Sequence, residues 1–113
     1  MPIDSHVHLY PSSVSQDPAA WAAQRGESYW LSCVQPATGI ALQAWRSVEE
    51  LLRDMDEAGI EKAVILAWYW ENHDSCLENL SWQAEWLRLH PDRFVCFAPF
   101  NANGGPAAVD SLR

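Results

Sequence analysis

Three short apolar runs divide the chain and predict three β-strands. The first is residues 2–9, bounded by Pro2 and Pro11, and the second is Ala-Val-Ile-Leu-Ala-Trp at 63–68. The third is Arg-Phe-Val-Cys-Phe-Ala-Pro-Phe at 93–100. Because the second run is apolar on both faces, it is typical of a strand in a parallel sheet that is covered by helices.

A helical pattern precedes the second strand. Ser47 and Glu50 form a capping box, and Gly59 supplies a left-handed stop. Between them, apolar residues recur at helical spacing on one face, namely Val48, Leu51, Leu52 and Met55. This pattern predicts an amphipathic helix that ends just before the second strand.

Another helix is predicted between the second and third strands. Ser75 and Glu78 repeat the capping-box arrangement, and Pro91 ends the helix. Its predicted apolar stripe consists of Leu77, Leu80, Ala84 and Leu87. After the third strand, a further helix is expected to open at Gly104, Gly105 and Pro106.

The segment 11–46 lacks sustained periodicity and is predicted to be a long loop. A short helix is expected near Pro18–Gln24, with Asp17 as its cap. A loop of this length in a compact domain is usually functional. Its aromatic residues Trp21, Tyr29 and Trp30 could form a lid over an apolar or ring-shaped substrate. Packing of these aromatic residues onto the rest of the domain is the alternative.

The predicted elements alternate between strand and helix, which is typical of the α/β class with right-handed crossovers. The 113 residues fit one domain at most. Three strands with so few helices would leave one sheet edge bare and much of each face uncovered. We therefore expect these residues to form only part of a larger domain.

Composition and charge exclude several classes of protein. Hydrophobic residues make up 49% of the chain and seven residues are tryptophan, which is too apolar for a disordered segment. The net charge of -8 argues against binding to nucleic acid or to an anionic membrane surface. No apolar run approaches the roughly 20 residues of a membrane span, and no signal peptide is recognisable.

The three cysteines, Cys33, Cys76 and Cys96, have neither disulfide nor zinc-site spacing. A reducing cytoplasm is therefore the expected location. Cys96 lies within an apolar strand and is expected to be a buried, inert thiol.

Two histidines at the end of the first strand carry the strongest chemical signal. His6 and His8 are one residue apart, so their side chains should project to the same side of a strand. Neutral imidazole is a common ligand of zinc and other divalent metals. Asp4, two residues before His6, should point the same way and could support the site. The alternative is a half-buried strand with two satisfied histidines and an exposed acid.

Other polar residues follow the later strands. His73 and Glu71 come after the second strand, and Asn101 follows the third. The carboxyl ends of parallel strands share one rim, so these residues are weaker candidates for a site there. Ordinary structural roles for Glu71 and Asn101 are the alternative.

The N-terminal stretch Ile-Asp-Ser-His-Val-His-Leu-Tyr-Pro resembles the first strand of the metal-dependent amidohydrolase superfamily. More closely, the chain resembles the amidohydrolase-related branch that includes aminocarboxymuconate-semialdehyde decarboxylase. Leu51–Leu66 looks like the first helix and second strand of that branch, and Glu78–Phe94 looks like its second helix and the beginning of its third strand.

This resemblance implies a (β/α)8 barrel with its site at the carboxyl ends of the strands. By the same resemblance, His6 and His8 match the first two metal ligands. The expected cofactor is a divalent metal ion, most simply zinc, and the expected substrate is a small molecule. The later histidine ligands and the aspartate of the family have no counterpart here. Such a barrel has about 250 residues, so the resemblance implies that residues 1–113 are the N-terminal portion of one hydrolase barrel domain, with 11–46 as a loop insertion or lid. We expect this chain alone to be catalytically incomplete, and no catalytic residue is assigned.

Two chemistries remain open under this resemblance. One is hydrolysis of a C–N or C–O bond by metal-activated water, and the other is a non-oxidative decarboxylation. A different class of function also remains, in which the chain is a non-catalytic piece that associates through exposed apolar surface, as a homo-oligomer or with a missing half.

Overall fold

The computed structural model describes residues 1–41 and 43–113, and it has an α/β architecture built on one parallel sheet. The strands are β1 (Ile3–Val7), β2 (Lys62–Leu66) and β3 (Phe94–Phe97), in the order β1-β2-β3. Both pairs are parallel, as predicted. The strands are shorter than the apolar runs. The chain leaves the sheet after Leu66 and after Phe97, so Ala67–Trp68 and 98–100 belong to the loops at its carboxyl edge.

Six α-helices and one 3-10 helix accompany this sheet among the described residues. Their bounds are α1 (Ser12–Ser15), α2 (Pro18–Arg25), α3 (Ser28–Val34), α4 (Val48–Ala58), α5 (His73–Leu89), the 3-10 helix Ala102–Gly104 and α6 (Pro106–Asp110). Pro106 occupies the first turn of α6, as the sequence predicts.

The segment 11–46 is not the loop that its lack of periodicity suggests, because it contains three short helices. Residue 42 of this segment lies outside the described residues. The predicted helix near Pro18–Gln24 is confirmed as α2, and Asp17 caps it by accepting a hydrogen bond from the backbone N–H of Ala20 at 3.0 Å. The helices α1 and α3 are too short for periodicity to reveal them.

The capping box and the glycine stop that were predicted for α4 are both present. The Ser47 hydroxyl accepts from the backbone N–H of Glu50 at 3.1 Å, and the Glu50 carboxylate accepts from the backbone N–H of Ser47 at 2.9 Å. Gly59 ends the helix with φ 68, a left-handed conformation that costs glycine little.

The predicted start of α5 is wrong. The helix begins at His73 with Asn72 as its cap, so Ser75 and Glu78 lie inside it. Ser75 is buried and its hydroxyl has no partner among the described residues. Glu78 does not reach back to a cap because its carboxylate binds the Arg25 guanidinium, with Oε2 2.6 Å from Nε. A tertiary ion pair has therefore replaced the local capping interaction.

The predicted apolar stripe of α5 is also displaced. Leu77 and Ala84 are exposed, whereas Leu80 and Leu87 are half-buried. The buried face instead consists of Ser75, Cys76, Asn79, Gln83 and Trp86. Asn79 and Gln83 can occupy this face because each has a hydrogen-bond partner. The indole N–H of Trp70 donates to Asn79 Oδ1 at 2.8 Å, and Gln83 donates to the carbonyl of Phe97 at 3.0 Å.

Two hydrophobic clusters form the core. The sheet cluster lies between the strands and the helices α4 and α5, and consists of Leu9, Met55, Ala63, Ile65, Trp86 and Phe94. The aromatic cluster joins the segment 11–46 to α5, and consists of Tyr10, Val14, Trp21, Ala22, Trp30, Val34, Trp70 and Cys76. Edge-to-face and tilted contacts predominate in the aromatic cluster, for example between Trp21 and Trp30 with ring centroids 5.2 Å apart.

The other face of the sheet lacks such a cover among the described residues. Val95 and Phe97 of β3 are exposed, whereas Phe94 between the sheet and α5 is buried. Within residues 1–41 and 43–113, no helix combines the length and apolar character needed to cross a membrane.

Candidate functional site

The structure brings the imidazole rings of His6 and His8 together at the carboxyl end of β1. Their Nε2 atoms are 3.1 Å apart and their ring centroids are 5.0 Å apart. His6 is exposed and His8 is half-buried. We call these two side chains the histidine pair.

The spacing of the histidine pair suits a shared metal ion. Zinc binds imidazole nitrogen at about 2.0–2.1 Å, and tetrahedral geometry then places two ligand nitrogens about 3.3 Å apart. The observed 3.1 Å between the Nε2 atoms corresponds to an N–metal–N angle of about 100°. The Nε2 separation therefore matches two adjacent positions around one ion, and it equally matches a direct hydrogen bond between the two rings.

A carbonyl on the neighbouring strand orients His8. Its Nδ1 lies 3.2 Å from the backbone oxygen of Leu66, the last residue of β2. In the tautomer that donates this hydrogen bond from Nδ1, the lone pair of Nε2 faces His6. Metal-binding histidines commonly have such an outer partner.

Burial lowers the pKa of His8, although the hydrogen bond to Leu66 opposes this shift, and the nearby charge of His6 lowers the pKa further. Metal ligation requires the neutral form of imidazole. The surroundings of His8 thus favour the protonation state that a metal ligand needs.

Asp4 lies at the same site, but the strand between Asp4 and Val7 is irregular, so its side chains do not alternate strictly between the two faces of the sheet. Asp4 pairs with Ala63 of β2 and Val7 with Ile65, so the register shifts between Asp4 and Val7. The Asp4 carboxylate accepts a hydrogen bond from the backbone N–H of His6 at 3.1 Å. Asp4 therefore steadies the backbone that carries the histidine pair.

The histidine pair and Asp4 line an open cleft of about 320 Å³. The facing residues include Gln43, Ala44 and Arg46, which precede α4. The Arg46 side chain is about half exposed, and its Nε is 3.4 Å from an Asp54 carboxylate oxygen. Sequence reasoning did not identify Gln43 or Arg46 as site residues, because no motif connects them with a strand 40 residues away.

An apolar cleft adjoins the other side of His8. It has a volume of about 260 Å³ and is lined by Leu66, Ala67, Trp68, Tyr69, Phe97, Ala98, Pro99 and Phe100. Trp68 and Tyr69 are stacked, with centroids 4.7 Å apart, and the Trp68 ring meets His8 edge-on at 5.8 Å. Apolar surface therefore comes within contact distance of the histidine pair.

Glu71 and Asn101 have structural partners at the carboxyl rim. The Glu71 carboxylate accepts from the backbone N–H of Tyr29, in the first turn of α3, at 3.3 Å. The Asn101 side-chain amide donates to the carbonyls of Trp70 and Glu71 at 3.1 and 2.8 Å. Asn101 thus fastens the loop after β3 to the loop after β2.

His73 is the first residue of α5 and packs beside Gly104. A Cβ atom built onto Gly104 would lie 3.4 Å from His73 Nδ1. This Nδ1 atom is buried and has no hydrogen-bond partner in the described part of the chain.

The predicted lid residues have two different environments. Trp21 and Trp30 are buried in the aromatic cluster, so for them the packing alternative describes the structure. Tyr29 is exposed, with its ring centroid 6.2 Å from that of Tyr69 in the apolar cleft.

A complete metal centre needs more ligands than the histidine pair. Across residues 1–41 and 43–113, no group of three or more His, Cys, Asp and Glu side chains is placed to hold a metal ion. Asp4, Glu71 and His73 therefore do not complete the site in this arrangement. No protein-family model, curated protein or solved structure matches the chain.

Proposed function

We propose that this chain forms part of a metal-dependent hydrolase of the amidohydrolase type, in which His6 and His8 are two ligands of a zinc ion. The single observation that carries the proposal is the 3.1 Å separation of their Nε2 atoms. The hydrogen bond from His8 to the Leu66 carbonyl supports it, because it leaves the Nε2 lone pair available.

The proposal includes a (β/α)8 barrel, of which β1, β2 and β3 would be the first three strands. The parallel order β1-β2-β3 supports this fold, as do the helices that cover one face of the sheet. In such barrels, active sites lie at the carboxyl ends of the strands, where the histidine pair lies in this chain.

The cleft around the histidine pair suggests how its residues would act. A bound zinc ion would supply an activated water molecule and polarise a substrate carbonyl for hydrolysis of a C–N or C–O bond. The Leu66 carbonyl would hold His8 in the ligating orientation, and Asp4 would hold the backbone of His6. Arg46, on the facing wall, would attract an anionic group of the substrate.

A non-oxidative decarboxylation is the second candidate, and Arg46 is the observation that favours it. Its partly exposed guanidinium lines the same cleft as the histidine pair and could hold a substrate carboxylate. Release of carbon dioxide rather than an acid and an amine or alcohol would distinguish decarboxylation from hydrolysis.

The decisive experiment for the site is a zinc titration followed by calorimetry. The wild-type chain should bind zinc weakly, because the described residues supply only two ligands, and both His6→Ala and His8→Ala should abolish binding. His90→Ala is the matched control, because His90 caps the C-terminus of α5 and its ring packs against Phe94 instead of the histidine pair. Unchanged zinc binding in His6→Ala and His8→Ala would overturn the ligand assignment.

The reaction class requires an activity test on a protein that contains the complete proposed barrel, because residues 1–113 alone are expected to be catalytically incomplete. Zinc-loaded protein should be incubated with panels of amides, esters and lactones, and with carboxylic acids in a separate panel. Product formation that disappears in the His6→Ala variant and on removal of zinc would support the proposed class. Activity that persists without zinc and in this variant would exclude the metal-dependent mechanism.

A further inference from the structure

The apolar cleft beside His8 has aromatic walls. Of the eight described residues that line it, none has a charged side chain and four are aromatic, namely Trp68, Tyr69, Phe97 and Phe100. Tyr69 is 63% exposed, Phe97 is 60% exposed and Phe100 is 43% exposed. Because removal of apolar surface from water favours association, this cleft suits an uncharged, apolar part of a ligand.

The shape of these walls favours a planar ring. The rings of Trp68 and Tyr69 are nearly parallel, with 19° between their planes and 4.7 Å between their centroids. Aromatic rings pack well against a further ring, either offset-stacked or edge-on. An apolar cavity of about 150 Å³ is sufficient to bind benzene. The cleft, with a volume of about 260 Å³, can therefore take one aromatic ring with a short substituent.

The apolar cleft adjoins the histidine pair through two of its lining residues. The Leu66 carbonyl oxygen lies 3.2 Å from His8 Nδ1, and the ring centroid of Trp68 lies 5.8 Å from that of His8. His8 also lines the open cleft that contains Arg46. A ligand that places its ring in the apolar cleft would therefore bring the group attached to that ring next to His8.

We propose that the apolar cleft binds the acyl ring of the substrate, and that the substrate is an aromatic amide or ester. The inference rests on the proposed function and deepens it by naming the substrate class. The ring lies against Trp68 and Tyr69, and the carbonyl carbon lies next to His8. Water adds to this carbon, the C–N or C–O bond breaks, and the leaving group takes up a proton from the water. The products are an aromatic acid and an amine or alcohol.

The test is the binding of small amides to the 113-residue chain without added zinc, followed by NMR of the indole N–H signals of its seven tryptophans. After assignment of these signals, benzamide at millimolar concentration should shift that of Trp68. It should leave in place those of Trp21 and Trp30, which are buried in the aromatic cluster. Cyclohexanecarboxamide, whose ring is not planar, should bind about fivefold more weakly. Acetamide, which has no ring, should cause no shift.

Tyr69→Ala tests one wall of the cleft directly. Tyr69 is largely exposed, so its replacement should preserve the fold and leave the Trp21 and Trp30 signals unchanged. Benzamide binding should weaken about fivefold, because one aromatic contact is lost. Leu89→Ala is the matched control, since Leu89 is an exposed apolar residue at the end of α5 that does not line the cleft. This variant should bind benzamide like the wild type.

The other outcomes count against the ring site or against the metal site. Equal binding of benzamide and cyclohexanecarboxamide would overturn the assignment of an aromatic substrate, as would full benzamide binding by Tyr69→Ala or equal shifts of all seven indole signals. Absence of benzamide binding in a chain that binds zinc through His6 and His8 would overturn this inference alone. Benzamide binding in a chain whose zinc binding does not depend on these histidines would overturn the proposed function, and with it the role of the ring as part of a substrate.

Discussion

Glu27 and Asn72 are joined by two hydrogen bonds, although 45 residues separate them in sequence. One carboxylate oxygen of Glu27 accepts from the Asn72 backbone N–H at 3.0 Å and from its side-chain amide at 3.1 Å. The other oxygen accepts from the backbone N–H of Glu71 at 2.9 Å. Glu27 is completely buried, and these three donors replace the water that its carboxylate loses. They tie the segment 11–46 to the beginning of α5.

Glu27→Gln should destabilise the protein by about 2–4 kcal/mol. A glutamine amide has one acceptor oxygen, so its NH2 group would face a backbone N–H that is left without a partner. Urea denaturation followed by tryptophan fluorescence would measure the change in the free energy of unfolding. Glu57→Gln, at an exposed position in α4, is the control and should change this free energy by less than about 0.5 kcal/mol. Equal effects of the two substitutions would contradict the role given to Glu27.

The ion pair between Arg25 and Glu78 should contribute more than an exposed pair of the same geometry. The Arg25 guanidinium contacts both Glu78 oxygens at 2.6 and 2.9 Å, and it also lies 4.7 Å from the centre of the Trp21 ring. The two side chains are only 31% and 29% exposed. A double-mutant cycle with alanine at both positions should give a coupling energy of about 1 kcal/mol.

The comparison pair is Arg88 and Glu85, which also form two hydrogen bonds, at 3.0 and 2.7 Å. These side chains are 66% and 54% exposed, so water screens their attraction. The same cycle there should give no more than about 0.5 kcal/mol. A coupling at Arg88–Glu85 equal to that at Arg25–Glu78 would show that partial burial adds nothing.

Ionisation of the Tyr10 phenol should lower the free energy of unfolding at high pH. Burial raises the pKa of Tyr10 to about 12, and a hydrogen bond from the Trp30 indole N–H, at 3.0 Å, opposes the shift. Because the phenol ionises near pH 10 in the unfolded chain, its contribution to stability is complete below pH 10 and is lost as the pH rises to 12. The loss should reach about 2–3 kcal/mol in urea titrations across this range.

Tyr10→Phe separates this effect from that of other titrating groups. The variant should be less stable at pH 8 by about 1 kcal/mol, because the Trp30 indole N–H loses its acceptor. Between pH 10 and pH 12 it should lose less stability than the wild type. Parallel stability curves for the two proteins would show that Tyr10 does not cause the alkaline loss.

The three thiols should react with an alkylating reagent in a fixed order. Cys33 is exposed, whereas Cys76 is buried and Cys96 is half-buried. Burial raises the pKa of Cys76, and it raises the pKa of Cys96 to about 11, so little thiolate forms at either position near neutral pH. Mass spectrometry of native protein treated with iodoacetamide should show rapid modification of Cys33 alone. In urea all three thiols should react at similar rates. Rapid modification of Cys76 in the native protein would contradict the packing of the aromatic cluster.

Signals that act within a few residues allowed much of the fold to be predicted from the sequence. Asp17 and Pro18 begin α2 as predicted, and the capping box of Ser47 and Glu50 begins α4. The apolar runs located all three strands, although the strands are shorter than the runs. The spacing of His6 and His8 also anticipated that their rings would meet.

The same local signals failed where a distant partner competes. Ser75 and Glu78 have the sequence of a capping box, yet Glu78 binds Arg25 and the helix begins earlier. The buried face of α5 includes Asn79 and Gln83, whose partners lie after β2 and at the end of β3. A stripe of leucines could not reveal this face, because the burial of polar residues depends on those distant partners.

The sequence by itself determined the order of the three strands, the helices α2 and α4 with their caps, and the placement of two imidazoles on one side of a strand, because each depends on backbone geometry within a few residues. Only the tertiary structure decided that Glu27 is buried, that Arg46 lines the same cleft as the histidine pair and that Trp21 and Trp30 form part of a core. These features depend on donors and apolar surfaces that the folded chain brings together from far apart in sequence, and no local pattern encodes that proximity.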